Sequence, residues 1–373
     1  MAPSSDHFAA TAAWIALGAA GRTQGNVLRE IRERHGSPAG VIEPGAAAAP
    51  EIAGLDPALR ERAHRLLDWA GREIGAVRRA GGEVVSYGDA GYPALLREIP
   101  DPPAWLAVQG EWSDAEAPAV AVIGSRSACP AGVRRGREWS AWLARRGVAI
   151  ISGLAHGVDG AAHEGALEGG GRTAAVLGCG LDISYPRRHL TLREAIVRGG
   201  GAVMSELPIG TQPAPWTFPR RNRLISGLAR GVLVIQAAER SGTSITARLA
   251  LDQGREVWAV PGTPEDPRAR GTNALIRQGA RLVESPEEVL GDLLPGWPGD
   301  IPPKMDDRSM IQAMGGLTEE EMELLAGLKA APADIDTIAA RAQLTIEQAA
   351  ATLLDLEMRG EVKRLPGMRF SKA

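Results

Sequence analysis

Short apolar runs recur through the middle of the chain, and most of them are followed by glycine or a polar residue. Runs of four or five small apolar residues are typical of strands buried on both faces of a parallel sheet. Stretches suited to helices lie between them, and this alternation predicts an α/β fold with a doubly wound, mostly parallel sheet. The predicted strands are 119–123, 148–152, 173–177, 202–205, 231–235 and 256–260.

The pattern changes on both sides of this central region. Before it, apolar residues recur at helical spacing over 57–79, and a strand is predicted over 83–87. The segment 90–117 is rich in proline and tryptophan and is predicted to be a connection. The predicted domains are a helical domain at 1–80, an α/β domain at 81–290, a linker at 291–316 and a third domain at 317–373.

The third domain is predicted to be a winged helix-turn-helix. Thr318 with Glu321, and Thr345 with Gln348, have the spacing of capping boxes and predict the starts of two helices. A shorter helix is expected near 334–342 and a small hairpin at the end of the chain. The predicted recognition helix is acidic, so we expect this domain not to be the main site for a nucleic acid.

Charge is distributed unevenly along the 373 residues, although the net charge is only −3. Residues 118–290 carry +7, whereas the segments before and after each carry −5. A basic centre between acidic ends indicates an anionic partner for the central domain. The two cysteines exclude a disulfide framework, and no apolar stretch is long enough for a membrane span, so a cytoplasmic protein is predicted.

The turn after the first central strand is the strongest candidate for ligand binding. Gly124 permits a turn at the carboxyl end of the strand, where open α/β sheets place their ligands. Ser125 and free backbone N–H groups suit an anion at a helix N-terminus, and Arg126 adds a planar cation that matches phosphate. This combination predicts a phosphate-bearing ligand larger than a simple nucleotide.

Other strand ends carry small or basic residues that are expected at the same edge of the sheet. Glycines at these places also serve simply to make tight turns, but their number favours a groove. The small or basic residues at these strand ends are Ser152 and Gly153, the Gly178–Gly180 turn, Arg187 and Arg188 after Tyr185, and the run Ser241, Gly242 and Thr243.

The segment 218–226, FPRRNRLIS, is the second strong signal. Arg220, Arg221 and Arg223 surround Asn222, and the aromatic residues Trp216 and Phe218 precede them. Cations beside aromatic platforms are typical of single-stranded nucleic-acid binding. A solvated, basic start of a helix is the alternative interpretation.

The sequence evidence for a catalytic or metal-binding site is weaker. His156, Asp159 and His163 share one helical face but have no evident fourth ligand, so no metal is predicted. Cys179 has no base beside it, and Glu206 is predicted to orient the neighbouring arginines rather than to act as a base. We therefore predict neither a catalytic residue nor a cofactor.

Eight segments in order resemble the DNA processing protein A family, also called the Smf family of recombination mediators, over about 80–290. They are GSR (124–126), SGLAHGVDGAAHEGAL (152–167), AVLGCGLDISYP (175–186), SELP (205–208), FPRRNRLISGL (218–228), RSGTSITA (240–247), AVPG (259–262) and GTNALIRQGA (271–280).

This resemblance implies an extended Rossmann-like fold between an N-terminal domain similar to a sterile-alpha-motif domain and a C-terminal winged helix. It implies a homodimer, not an enzyme, that binds single-stranded DNA and helps to load RecA recombinase in natural transformation. The matching positions imply DNA contacts from Arg126, Arg187, Arg221, Asn222 and Arg223.

Combining the motifs with the resemblance gives the predicted DNA-binding set: Gly124, Ser125, Arg126, Ser152, Gly153, Arg187, Phe218, Arg221, Asn222, Arg223, Ser241 and Gly242. Two alternatives stay open, a Rossmann-like nucleotide-handling enzyme of the phosphoribohydrolase type and a winged-helix transcription regulator. The first would need a catalytic glutamate in the loop at 240–247, which has none.

Overall fold

The structure is a computed structural model. It describes residues 5–42, 52, 54–112, 117–239, 241–294, 324, 328, 333–342, 345–358, 362–365 and 369–372. The chain divides into two compact units, Met1–Pro303 and Lys304–Ala373.

A nine-stranded sheet forms the centre of the first unit and confirms the predicted fold class. Its spatial order is β1-β2-β6-β5-β4-β3-β7-β8-β9. The seven strands from β6 to β9 in this order are mutually parallel, and β2 pairs antiparallel with both β6 and β1. The strands are β1 (Glu83–Ser86), β2 (Trp105–Gly110), β3 (Ala119–Ile123), β4 (Ala149–Ser152), β5 (Thr173–Val176), β6 (Ala202–Ser205), β7 (Gly231–Val234), β8 (Glu256–Ala259) and β9 (Arg281–Leu282).

The five central parallel strands β3 to β7 are fully buried, as their small apolar residues predict. Helices cover both faces. Those that follow the first central strand are α7 (Pro130–Arg145), α8 (Val158–Glu168), α9 (Leu190–Arg198), α10 (Thr217–Gly227), α11 (Gly242–Asp252), α12 (Arg270–Arg277) and α13 (Pro286–Leu293). α13 continues three residues into the predicted linker, and residues 295–316 of that linker lie outside the described residues.

The segment 90–117 was wrongly predicted to be only a connection. It contains a short helix, α6 (Ala94–Glu98), and the whole of strand β2, which pairs with β1 and β6. Pro102 and Pro103 lie just before this strand, and prolines are depleted in strands, so the local sequence does not indicate one. Its apolar residues pack against the main core, whereas its end is partly exposed and carries no regular alternation.

The N-terminal helices share the hydrophobic core of one sheet face, where Trp14 and Tyr87 are fully buried. Glu73 adds a polar link, because its carboxylate accepts a hydrogen bond of 2.6 Å from the backbone N–H of Ile209. The helix predicted over 57–79 is interrupted at Leu66. The helices are α1 (Ser5–Ala20), α2 (Gly25–His35), α3 (Ala39–Ile42), α4 (Pro57–Arg65) and α5 (Leu67–Arg79).

The second unit contains the predicted short helix, the following helix and the hairpin, whereas the helix predicted at Thr318 lies outside the described residues. Leu353 and Phe370 belong to its own apolar core. The helices are α14 (Ile335–Ala342) and α15 (Ile346–Met358), and the antiparallel strands are β10 (Ala333–Asp334), β11 (Val362–Leu365) and β12 (Arg369–Lys372). In the part of the chain that the structure describes, no helix is both long and apolar enough to span a membrane.

Candidate nucleic-acid interface

A groove with a volume of about 690 Å³ opens beyond the carboxyl ends of β3 and β7. This is the edge at which the parallel strands present their loops. Its lining includes seven of the twelve predicted contact residues: Gly124, Ser125, Arg126, Phe218, Asn222, Ser241 and Gly242. Their contact with DNA stays a prediction.

The turn that follows β3 is held in place by Gln236, the second residue after the neighbouring strand β7. Ser125 donates its backbone N–H to the carbonyl of Gln236 at 2.7 Å, and the Gln236 side chain accepts from the Cys129 N–H at 2.9 Å. Gly157 packs beneath the turn with φ of 78°, and a Cβ there would lie 2.3 Å from the Ser125 carbonyl oxygen. The exposed side chain of Arg126 therefore projects from a fixed backbone.

Three side chains form a cationic and aromatic cluster in this groove. The Arg126 guanidinium lies 4.9 Å from the centre of the Phe218 ring. The centres of the Tyr185 and Phe218 rings are 5.7 Å apart, and the two ring planes are tilted by 42°. Tyr185 is 43% exposed, and Phe218 is half-buried. The cluster offers a positive charge for a phosphate and a flat apolar surface for a base.

The N-terminus of α11 adds a second anion-attracting feature. Ser241 caps the helix by accepting from the Ser244 N–H, and Asn222 donates to the Gly242 carbonyl at 3.4 Å. Both cap and asparagine line the groove. The N–H groups of a first helical turn and the helix dipole favour a negative ligand at such a place.

Arg221 does not lie on the groove surface. Its side chain is buried and donates to the carbonyls of Gly153 and Val176, at 2.7 Å for Gly153. Burial lowers the pKa of Arg221 to about 10, and the nearby Asp159 carboxylate opposes this effect. The guanidinium therefore cross-links the ends of β4 and β5, and its burial argues against direct contact with a phosphate.

Arg223 is also buried, with its head held by two carboxylates. Its Nη2 lies 2.5 Å from Glu206 Oε2 and its Nε lies 3.1 Å from Asp101 Oδ2. Glu206 also accepts from Arg220 Nε at 2.6 Å, which bears out its predicted role of orienting arginines. Asp101 contacts Arg22 as well, so the network connects α10 with the loop after α1.

Three other predicted residues lie outside the groove lining. Ser152 is fully buried, and its hydroxyl donates to the Val122 carbonyl at 2.6 Å, which leaves it no surface for DNA. Gly153 lies against Arg221, since a Cβ there would be 2.5 Å from the guanidinium. Arg187 is exposed on a 3₁₀ helix, Arg187–His189, directly after Tyr185 and Pro186.

The histidine and aspartate group has structural roles. His163 is fully buried, its Nδ1 lies 2.7 Å from Thr173 Oγ1, and burial lowers its pKa to about 3. Burial raises the pKa of Asp159, which the charge of Arg221 partly offsets. His156 accepts from Arg188 Nε at 2.6 Å. Among the described residues, no group of three potential ligands could hold a metal ion.

Sequence reasoning missed two residues that shape the site. Gln236 fixes the turn after β3, and its only sequence signal is a polar side chain directly after the apolar run 231–235. The sequence places Tyr185 before a basic segment but does not indicate that its ring packs on Phe218. The scarcity of aromatic residues is a usable signal for Tyr185, because the chain has only three tyrosines and three phenylalanines.

Comparison with known proteins identifies two family models along the chain. Residues 83–294 match the model of DNA recombination-mediator protein A, and residues 312–368 match the DprA winged helix domain. Protein Smf of Escherichia coli is 43% identical over 278 residues, covering 74% of each chain. DNA processing protein DprA of Bacillus subtilis is 39% identical over 223 residues, covering 60% of this chain and 75% of its own.

Solved structures agree with these matches. The X-ray structure of DNA processing protein A from Streptococcus pneumoniae has a TM-score of 0.62 and 34% identity, covering 74% of this chain and 95% of its own. A structure that concerns the single-stranded DNA binding mode of DNA processing protein A from Helicobacter pylori has a TM-score of 0.52 and 28% identity. The match covers 57% of this chain and 97% of that chain. The chain therefore belongs to the DNA recombination-mediator protein A family, the DprA/Smf family.

Proposed function

We propose that the chain binds single-stranded DNA in the groove beyond β3 and β7, largely without regard to sequence. The observation that carries this proposal is the stacking of Arg126 on Phe218 at 4.9 Å, beside the N-terminus of α11. A phosphate meets the cation and the helix N-terminus, while an unpaired base meets the aromatic face. A duplex hides its base faces, so it gains only the electrostatic part of this interaction.

The comparison with the Helicobacter pylori protein supports the same ligand, because the structure of that protein concerns single-stranded DNA binding. From the family resemblance we further propose that the chain acts as a homodimer in the cytoplasm. It would protect incoming single strands and help to load RecA recombinase onto them in natural transformation. Arg221 and Arg223 contribute to this function by holding the groove walls rather than by touching phosphate.

We propose that no catalytic turnover accompanies binding. A nucleotide hydrolase would need an accessible acid, base or nucleophile in the groove. Asp159 is the one carboxylate among the described lining residues, and it is buried beside Arg221. The thiol of Cys179 is also buried, which raises its pKa to about 11 and suppresses the thiolate. A screen for hydrolysis of ATP and nucleoside monophosphates tests this alternative, and turnover at an ordinary enzymatic rate would favour it.

The binding test compares matched arginine variants of the full chain. Affinity for an oligo(dT) strand and for a duplex is measured by fluorescence anisotropy over a range of NaCl concentrations. Arg126→Ala is expected to weaken single-strand binding, whereas Arg72→Ala, which removes the same charge from the exposed surface of α5, is expected to change it little. Equal affinity of wild-type protein for both oligonucleotides, or unchanged binding by Arg126→Ala, would contradict the proposal.

A further inference from the structure

Trp216 is exposed, whereas the other tryptophans that the structure describes are at least half-buried. Its side chain is 59% exposed, whereas Trp14, Trp105, Trp139 and Trp258 are buried. The remaining described tryptophans are half-buried. A large apolar ring left in water forgoes the stabilisation that its burial would bring. Its exposure therefore calls for a ligand or partner that covers it.

The backbone around Trp216 is fixed. Thr217 is fully buried, and its hydroxyl lies 2.6 Å from the Gly178 carbonyl oxygen and 2.8 Å from that of Ala214. The Thr217 N–H also donates to Ala214 at 3.0 Å, which closes a turn just before α10. Trp216 is consequently presented on a rigid support, which keeps the entropic cost of binding low.

This turn is one wall of the groove. Pro213, Ala214 and Pro215 line the groove before Trp216, and Phe218 and Pro219 line it afterwards, but Trp216 itself is not part of the lining. Trp216 therefore lies in a chain segment whose neighbouring residues line the groove, while its own ring is exposed to solvent. Among the described rings and guanidinium groups, none stacks on the indole of Trp216.

We propose that Trp216 is a second stacking platform, which holds a base of the single strand where the strand passes over this wall and leaves the groove. The inference rests on the proposed function and extends the bound segment beyond Phe218. A base is the favoured occupant because Trp216 lies in the sequence between residues that line an aromatic and cationic groove. Prolines flank it, and the partly exposed Arg220 head follows it closely in the sequence. A protein interface would instead centre on a larger apolar patch.

The test uses the full chain with oligo(dT) strands of increasing length. Trp216→Ala is expected to weaken binding of long strands by about five- to 150-fold, the range for losing one base stack. Trp216→Phe should recover part of this loss. Because the indole is neutral, the salt dependence of binding should not change. The shortest strands, which fit within the groove, should bind Trp216→Ala and wild-type protein equally.

Two controls separate stacking from other effects. Phe8→Ala removes a 41% exposed aromatic ring from α1 and should leave binding unchanged. A strand with abasic sites offers phosphates without bases, so wild-type protein and Trp216→Ala should bind it equally. An equal loss on the abasic strand would mean that Trp216 shapes the wall and would overturn the inference.

The outcomes also separate this inference from the proposed function. If wild-type protein fails to bind oligo(dT), both are overturned. If wild-type protein binds long strands and Trp216→Ala binds them equally well, only the inference is overturned, and a protein partner becomes the better occupant for the exposed ring.

Discussion

Arg221 and Arg126 offer opposite tests of what an arginine does at this site. Both were predicted from the sequence to contact DNA, but one is buried and the other is exposed. Replacing Arg221 by methionine keeps an unbranched side chain and removes the cation and its donors. The carbonyls of Gly153 and Val176 then lose a hydrogen-bond donor in a site that water does not reach freely.

The expected magnitude follows from those lost hydrogen bonds. Leaving a buried acceptor unsatisfied costs about 1–3 kcal/mol, so two acceptors cost about 2–6 kcal/mol. Removing a buried cation also relieves its desolvation penalty, which opposes part of this loss. We expect the free energy of unfolding of Arg221→Met to fall by about 2–4 kcal/mol, a large share of the roughly 5–15 kcal/mol that holds a domain folded.

The contrasting variant is Arg126→Ala. Its side chain is exposed, so the free energy of unfolding should change by less than about 0.5 kcal/mol. Its loss should instead reduce the slope of log affinity against log salt by about 0.7, the value for one single-strand phosphate contact. Arg221→Met should keep the wild-type slope at a temperature at which it remains folded.

Urea unfolding and anisotropy titrations with oligo(dT) measure these two quantities on the same samples. The reasoning is refuted if Arg221→Met is as stable as wild-type protein and has the reduced salt slope. It is equally refuted if Arg126→Ala loses several kcal/mol of stability while its salt slope stays unchanged.

Three further predictions concern stability, the groove turn and the second unit. The lowered pKa of His163 means that the unfolded state takes up a proton first as the pH falls below 6.5. The free energy of unfolding, measured by urea titration, should therefore fall by about 2 kcal/mol between pH 7 and pH 5. The variant His163→Asn, whose amide can still donate to Thr173, should not show this decrease. Gly157→Ala should weaken oligo(dT) binding because its Cβ would displace Ser125, whereas Gly147→Ala, with similar φ but open space, should not. Deletion of 310–373 should leave single-strand affinity within a few-fold of the full chain, and a hundredfold loss with the first unit still folded would contradict this expectation.

The sheet was largely predictable because its signal is local. Each central strand is a short, small, apolar run, and six predicted strands agree with the structure to within one residue at either end. Strand β2 was missed because prolines precede it and because its place in the sheet depends on pairing with β1 and β6, which no local pattern reports. The break at Leu66 between α4 and α5 was missed for a related reason, since both helices carry apolar residues at suitable spacing.

The candidate site was predictable as a location but not as a set of contacts. Loops at the carboxyl edge of a parallel sheet converge whatever their sequence, so Gly124, Phe218 and Ser241 could be placed together. Whether a side chain at that edge faces the groove or the interior depends on distant residues. Ser152 illustrates this, because its hydroxyl donates to a carbonyl thirty residues earlier in the chain.

The arginine segment of α10 shows most clearly that the local sequence does not determine side-chain contacts. Arg220, Arg221 and Arg223 are nearly adjacent, but their partners lie 14 residues away at Glu206, 68 residues away at Gly153 and 122 residues away at Asp101. A helix turns each of these side chains in a different direction, and only the tertiary structure determines which direction is solvent. Because carboxylates neutralise Arg220 and Arg223, the dense arginine cluster adds less free positive charge to the groove than the sequence implies. Under the proposed function, the exposed Arg126 would therefore attract phosphate more than the arginines of α10 do, and the paired variants of Arg126 and Arg221 separate the two roles.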